Sequence, residues 1–305
     1  MSGTPLPAEF GLIARHFRPL AGPGSLDLLD DAAVVMPPPG RELVLTTDTI
    51  VAGVHFLPDD PPGTVAQKLL RVSLSDLAAM GADPWAYLLN VSVPRDTGAG
   101  WWTAFAAGLA LDQATYGLTL LGGDTTSTPG PVSLTATLLG TVAPGQALRR
   151  VGAMPGDGLY VSGTIGDGAL GLRALRGEVP DPDGYLAERY RRPVPRLGLV
   201  RFGDVHACMD VSDGLLQDAG HLARAAGLGV VVDAGLVPLS DAARACGAKW
   251  LEVCLTGGDD YELLVAAPAG GLAGMTRVGE FVIGEGVSAQ LFPRIESAGW
   301  DHFAG

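Results

Sequence analysis

Apolar runs of strand length alternate with longer stretches in which apolar residues recur every three or four positions, and this alternation predicts an α/β or α+β chain. Glu42 to Thr49 reads as a strand ending in Thr46-Thr47-Asp48. Thr64 to Met80 reads as a helix. Within it Val65, Leu69, Val72, Asp76 and Ala79 are spaced four, three, four and three apart, which places them on one face. A carboxylate on that apolar stripe is costly unless it pairs with a cation, either an arginine or a metal ion. Gly117 to Leu121 is strand-like and runs into Gly122-Gly123-Asp124-Thr125-Thr126, and Val132 to Val142 is a further strand.

Proline and glycine then cluster at Ala143-Pro144-Gly145 and Pro155-Gly156-Asp157-Gly158, which marks the best domain boundary. The second half opens with a strand, Leu159 to Ser162, and a glycine-rich turn into a helix. Gly163-Thr164-Ile165-Gly166-Asp167-Gly168 has its glycines in the wrong order for a dinucleotide fingerprint and reads as a tight turn. His206 to Val211 reads as a strand entering a helix near Ser212. Leu251 to Thr256 and Tyr261 to Ala267 read as strands around a Gly-Gly-Asp-Asp turn.

Composition narrows the chemistry. The 305 residues are 47% hydrophobic and 17% charged, enough for a sizeable core, and the formal net charge of −13 argues against nucleic acid as a partner. Only Lys68 and Lys249 are lysines, and neither follows a glycine-rich loop, so there is no Walker A motif. Three cysteines without a CxxC pair suggest neither disulfides nor a zinc site. With no signal peptide and no apolar run near 18 residues, the expectation is a cytoplasmic protein without a membrane partner.

The aspartates carry the chemical signal. Asp30-Asp31, Asp48, Asp76, Asp124, Asp210 with Asp213, and Asp259-Asp260 fall at strand ends or inside apolar stretches. One such residue is ordinarily a turn or cap; six motifs in an apolar chain point to hard cations that bridge carboxylates to phosphate. Thr46 and Asp48 share one side of a strand and could hold one ion together. Ser212 fits an N-cap, with Asp213 in the first turn, and a helix N-terminus also binds phosphate.

Taken together, the strings LTTDTIVAGVHFLPDD, VSLSDLAAMGADP, LLGGDTTSTPG, ALRRVGAMPGDGLYVSGTIGD, MDVSDGLLQDAGHL, LTGGDDYELL and GWDHF resemble, in order, the thiamine-monophosphate kinases. These belong to the aminoimidazole-ribonucleotide-synthetase-like superfamily. The resemblance implies a two-domain fold of residues 1–145 and 146–305, the first dimerising through its sheet and carrying metal and ATP motifs, the second completing the ATP and substrate site. It implies ATP-dependent phosphorylation of thiamine monophosphate to the diphosphate by a homodimer, with several Mg²⁺ ions held by the aspartates. Matched motif by motif, Asp31, Thr46, Thr47, Asp48, Asp76, Asp124, Asp210 and Asp213 become metal ligands, with Asp48, Asp76, Asp124 and Asp210 catalytic. Gly123, Arg150 and Ser212 match ATP-contacting positions; His55, Asp259 and Trp300 match substrate-contacting ones.

The sequence departs from the family at Asp27-Leu28-Leu29-Asp30-Asp31, where a Gly-x-Gly-Asp-Asp string is usual, so a different loop is expected. The family acid at Asp259 is often glutamate, one carbon longer. Selenophosphate synthetase fits less well because the first cysteine is Cys208, and aminoimidazole ribonucleotide synthetase lacks the GVHF segment. A regulatory protein built on a decayed site is the non-enzymatic rival.

Overall fold

In the computed structural model, residues 8–290 and Gly299 are described. The chain forms two compact units, Met1–Leu74 with Asp83–Pro144, and Ser75–Ala82 with Gly145–Gly305. The division falls inside a helix, so a short internal stretch belongs with the second unit. No helix among the described residues is long and apolar enough to cross a membrane.

The first unit contains α1 (Ala8–Leu12), β1 (Glu42–Val51), most of α2 (Pro62–Ala79), β2 (Asp83–Val93), α3 (Ala99–Tyr116), β3 (Thr119–Ser127) and β4 (Ser133–Val142). The strands form a sheet in the order β1-β4-β2-β3. β4 runs antiparallel to both neighbours, and β2 and β3 run parallel, a pairing that needs the long crossover α3 supplies. One face is apolar and buried: Ile50, Leu134, Ala136, Leu138, Tyr87, Leu89 and Val91. The other face is only partly covered. It carries Leu45 at 61% exposure and Leu88 at 39%, and Thr47 and Thr49 hydrogen bond across to Thr137 and Thr135 at 3.0 and 2.7 Å.

In this unit α2 is buried nearly all round. Its polar groups are therefore paired: Gln67 and Arg71 both donate to the buried Asp112 of α3, at 2.9 Å and at 2.7 to 2.9 Å. The buried Lys68 ammonium donates to the His55 carbonyl at 2.8 Å.

The second unit contains β5 (Gly158–Ser162), α4 (Asp167–Leu175), α5 (Tyr185–Arg191), β6 (Ala207–Asp210), α6 (Leu215–Ala226), β7 (Gly229–Asp233), α7 (Asp241–Ala245), α8 (Leu251–Thr256), β8 (Leu263–Ala267), β9 (Met275–Val282) and β10 (Gly286–Gln290). Its six strands order as β10-β7-β9-β5-β8-β6. Leu159, Val161 and Met209 pack into one cluster with α6, whereas Tyr160 and Cys208 pack into another with Ala78 and Ala79. Both sheet faces are covered, which explains continuous apolar strands in place of alternating ones.

Three local expectations change. Leu251 to Thr256 is helix α8, not a strand. A six-residue apolar run has no length to reveal its period, and packing against α4 and α6 decides it. Gly122 to Thr126 lies inside β3 instead of following it. The residue before α6 is Gly214, so Ser212 is not its N-cap.

Candidate active site

In the first unit, β1 and α2 present Asp48. Its Oδ2 accepts a hydrogen bond from Ser73 Oγ at 2.6 Å, so the carboxylate lies on the face covered by α2. Thr46 lies on the same side by strand alternation, as expected. Thr47 does not: its hydroxyl is on the opposite face, bonded to Thr137. His55 sits in the loop after β1. Its Nδ1 accepts from Val51 N at 3.1 Å, so the ring proton of the neutral form is on Nε2.

Asp31, Gly123 and Asp124 line a second location, a cavity of about 600 Å³ walled by Phe10, Phe17 and Leu88 among others. Gly123 is demanded by packing, because a Cβ there would stand 1.8 Å from the Leu89 carbonyl oxygen. Before Asp31 the backbone is left-handed at Leu26, Asp27 and Leu28, with φ of 53, 58 and 56°. Asp27, at the first of the two positions where the family string has glycine, holds a conformation that glycine adopts freely.

Asp48 and Asp124 are not brought together within one chain. The register aligns Asp48 with Ala136, Ala136 with Leu89 and Leu89 with Gly123, so the two aspartates sit at nearly the same level on the outer strands. Three strand spacings separate them, roughly 14 Å. Asp124 pairs with Asn90, in the row of Thr135 and Thr49 on the partly covered face.

In the second unit, Asp210 ends β6 and is buried. Its Oδ2 accepts from Ser75 Oγ at 2.7 Å. Burial first, and the negative charge of Asp76 second, push its carboxyl up to about 7, against the lowering effects of the Ser75 hydroxyl and Arg150. Asp76, Asp210 and Arg150 thus share one electrostatic site. The carboxylate on the apolar stripe of α2 thus acts on a second carboxylate, Asp210.

The loop from Ser212 to Gly214 wraps around Asp218, whose Oδ2 accepts from all three backbone N–H groups at 3.1 to 3.2 Å. Burial and then Asp213 and Asp210 push the Asp218 carboxyl up to about 8. Asp213, Asp218 and His221 hold candidate ligand atoms within 4.8 Å of one another. Asp259 N donates to Ser212 O at 3.0 Å, which places Asp259 beside this loop. Trp300 lies outside the described residues.

Sequence reasoning missed Ser73, Ser75 and Asp218. The serines are hidden in an apolar helix, but Asp218 had a signal as an acid in a first helical turn. All candidate metal ligands other than His221 are oxygen donors, and a buried carboxylate beside a second one fits a hard divalent cation.

The sequence matches the AIR synthase related protein N-terminal domain over residues 29–142 and the corresponding C-terminal domain over residues 154–286. It is 48% identical to the thiamine-monophosphate kinase of Caulobacter vibrioides, covering 93% of this chain and 86% of that one. The chain belongs to the thiamine-monophosphate kinase family. Within that family it is 42% identical to the Salmonella typhimurium enzyme, over 85% of this chain and 82% of the relative. The crystal structure of thiamine-monophosphate kinase from Stenotrophomonas maltophilia K279a superposes with a TM-score of 0.82 at 38% identity, over 93% of this chain and 96% of that one. The structure described as AaThiL complexed with AMPPCP and TMP superposes at 0.80 with 32% identity, over 99% and 100% of the two chains. The two-domain fold expected from the motifs is therefore the family's fold.

Proposed function

We propose that this protein transfers the γ-phosphoryl group of ATP to thiamine monophosphate, giving thiamine diphosphate and ADP. Membership of the kinase family carries the reading, and the pairing of Asp76 with the buried Asp210 is the structural observation that fits it best. Two carboxylates in one buried site are suited to a divalent cation. The attacking group would be a phosphate oxygen, already anionic near neutral pH, so no strong general base is required.

Mg²⁺ is part of the proposal. Several ions would be held, by Thr46 and Asp48 and by Asp31 and Asp124 in the first unit and by Asp76, Asp210 and Asp213 in the second, and they would screen and align the two phosphates. Arg150 and the backbone around Ser212 would meet the nucleotide. The Nε2–H of His55 would donate to the acceptor substrate, and the Asp259 carboxylate would face its cationic ring. The proposed setting is the cytoplasm.

A homodimer is also part of the proposal. The sheet leaves Leu45 and Leu88 exposed on one face. A second copy would cover that face, and with its β3 edge lying along β1 of the first it would bring its Asp124 strand to within one strand spacing of Asp48. Each site would then draw on both chains.

The test is product analysis. Purified protein with ATP, Mg²⁺ and thiamine monophosphate is expected to form thiamine diphosphate, seen by phosphorus NMR as a new diphosphate on thiamine. Release of inorganic phosphate without that product would reject the kinase reading.

A further inference from the structure

Asp259 and Tyr261 both have left-handed backbones, with φ of 71 and 54°. Neither is glycine, and the conformation is costly for a residue as bulky as tyrosine, so something must hold it. The holding groups lie on every side. Between the two residues, the buried Asp260 carboxylate grips the turn before α4: its Oδ2 accepts from Gly166 N at 2.7 Å and its Oδ1 from Gly168 N at 3.0 Å. That turn presses close. A Cβ on Gly168 would stand 2.2 Å from the Asp259 carbonyl oxygen.

A guanidinium ties the strained residues to the sheet. Arg189 Nη2 donates to the Asp260 carbonyl at 3.3 Å and to Glu262 Oε1 at 2.9 Å. Glu262 is fully buried, and it is held in addition by Ser162 Oγ at 2.5 Å and by both forks of Arg196 at 2.6 and 2.5 Å. The main chain completes the clamp: Asp259 N and Tyr261 N donate to the carbonyls of Ser212 and Val211, at 3.0 and 2.8 Å. Tyr261 in turn donates its hydroxyl to Asp259 Oδ1 at 3.1 Å. The strained backbone and its clamp therefore fix where the Asp259 carboxylate stands.

We infer that Asp260 and Arg189 are positioning residues for Asp259, setting affinity for the cationic aromatic acceptor and leaving nucleotide affinity alone. This rests on the kinase reading of Asp259 as the acid that faces that substrate. A buried ion network can exist for stability alone, and such a role would affect both substrates or neither. A role through Asp259 predicts a split between them and loss of additivity with Asp259.

The experiment is a double-mutant cycle on the full-length protein, with calorimetric Kd values for thiamine monophosphate and for Mg²⁺-ATP measured separately. Asp260→Asn is expected to weaken thiamine monophosphate binding about tenfold or more and to change ATP binding less than about twofold. In an Asp259→Asn background the same change is expected to add nothing. Additive losses, or equal weakening of both ligands, would overturn the inference. Should Asp260→Asn not fold, Arg189→Lys keeps the charge, loses the fork, and must show the same split and the same non-additivity. A wild-type protein that binds ATP but no thiamine monophosphate would instead reject the kinase reading, which separates the two failures.

Discussion

Asp48 on β1 and Asp124 on β3 occupy the two outer strands of one four-stranded sheet, with β4 and β2 between them. Their side chains belong to opposite faces. A single sheet can therefore display both aspartates only to different neighbours. Asp48 meets Ser73 of α2, whereas Asp124 lines the cavity with Asp31. The consequences of this arrangement can be measured residue by residue.

Thr46 and Thr47 are adjacent in sequence but face opposite ways, so their substitutions should diverge. Thr46→Val removes a hydroxyl beside Asp48 and is expected to raise the Mg²⁺ concentration needed for half-maximal activity. Thr47→Val removes only the bond to Thr137, and that requirement should stay unchanged. Magnesium titrations of the initial rate decide it. An equal effect of the two changes would contradict the assignment of faces.

Asp48→Asn should lower kcat by about a hundredfold or more while the melting temperature moves little, because the lost interaction belongs to the transition state. Ser73→Ala, which only frees one oxygen of that carboxylate, should cost much less. Steady-state rates at saturating Mg²⁺ are the check, and near-normal turnover of Asp48→Asn would remove it from the catalytic set.

Burial first and the Asp76 charge second raise the Asp210 carboxyl, so the two carboxylates repel one another in the absence of a cation. Asp76→Asn is nearly isosteric and removes that repulsion. The melting temperature of the mutant in chelator should equal or exceed that of the wild type. The upward shift that Mg²⁺-ATP gives the wild type should disappear, since ligand stabilisation follows mass action. A strongly destabilised mutant that keeps a normal shift would mean that Asp76 is structural.

The loop before Asp31 offers a stability test away from the chemistry. Asp27 is exposed, has φ of 58°, and its carbonyl accepts from Arg18, with no side-chain hydrogen bond among the described residues. Asp27→Gly keeps that bond and relieves the left-handed backbone, so stability should rise by up to about 1 kcal/mol. Urea unfolding measures it, and a loss of that size would show that the side chain matters more than the backbone.

Much of this molecule was legible in its sequence because local pattern and local geometry agreed. The strand Glu42 to Thr49 and the helix Thr64 to Met80 were both found to within two residues at each end. The loop before Asp31 has left-handed backbone at Leu26, Asp27 and Leu28, none of them glycine, which residue type alone does not announce. The failures have physical causes. Leu251 to Thr256 is too short to show a period, and Ser212 looked like a cap until Asp218 was seen to bind its backbone N–H. The clamp on Asp259 joins Ser162, Arg189, Arg196 and Glu262 across separations of up to 100 residues, which no local pattern encodes. Thr47 was grouped with Asp48 by motif, and strand alternation separates them.

Mixed dimers test the central claim, that each active site takes Asp48 from one chain and Asp124 from the other. Asp48→Asn and Asp124→Asn proteins, each inactive alone, are unfolded together and refolded at equal concentration, and thiamine diphosphate formation is measured. If sites are shared between chains, half of the dimers are mixed and each mixed dimer has one site with both aspartates intact. Activity should then return to about a quarter of the wild-type level. If each chain built its site alone, every site in the mixture would lack one aspartate, and the refolded mixture would remain as inactive as its parents.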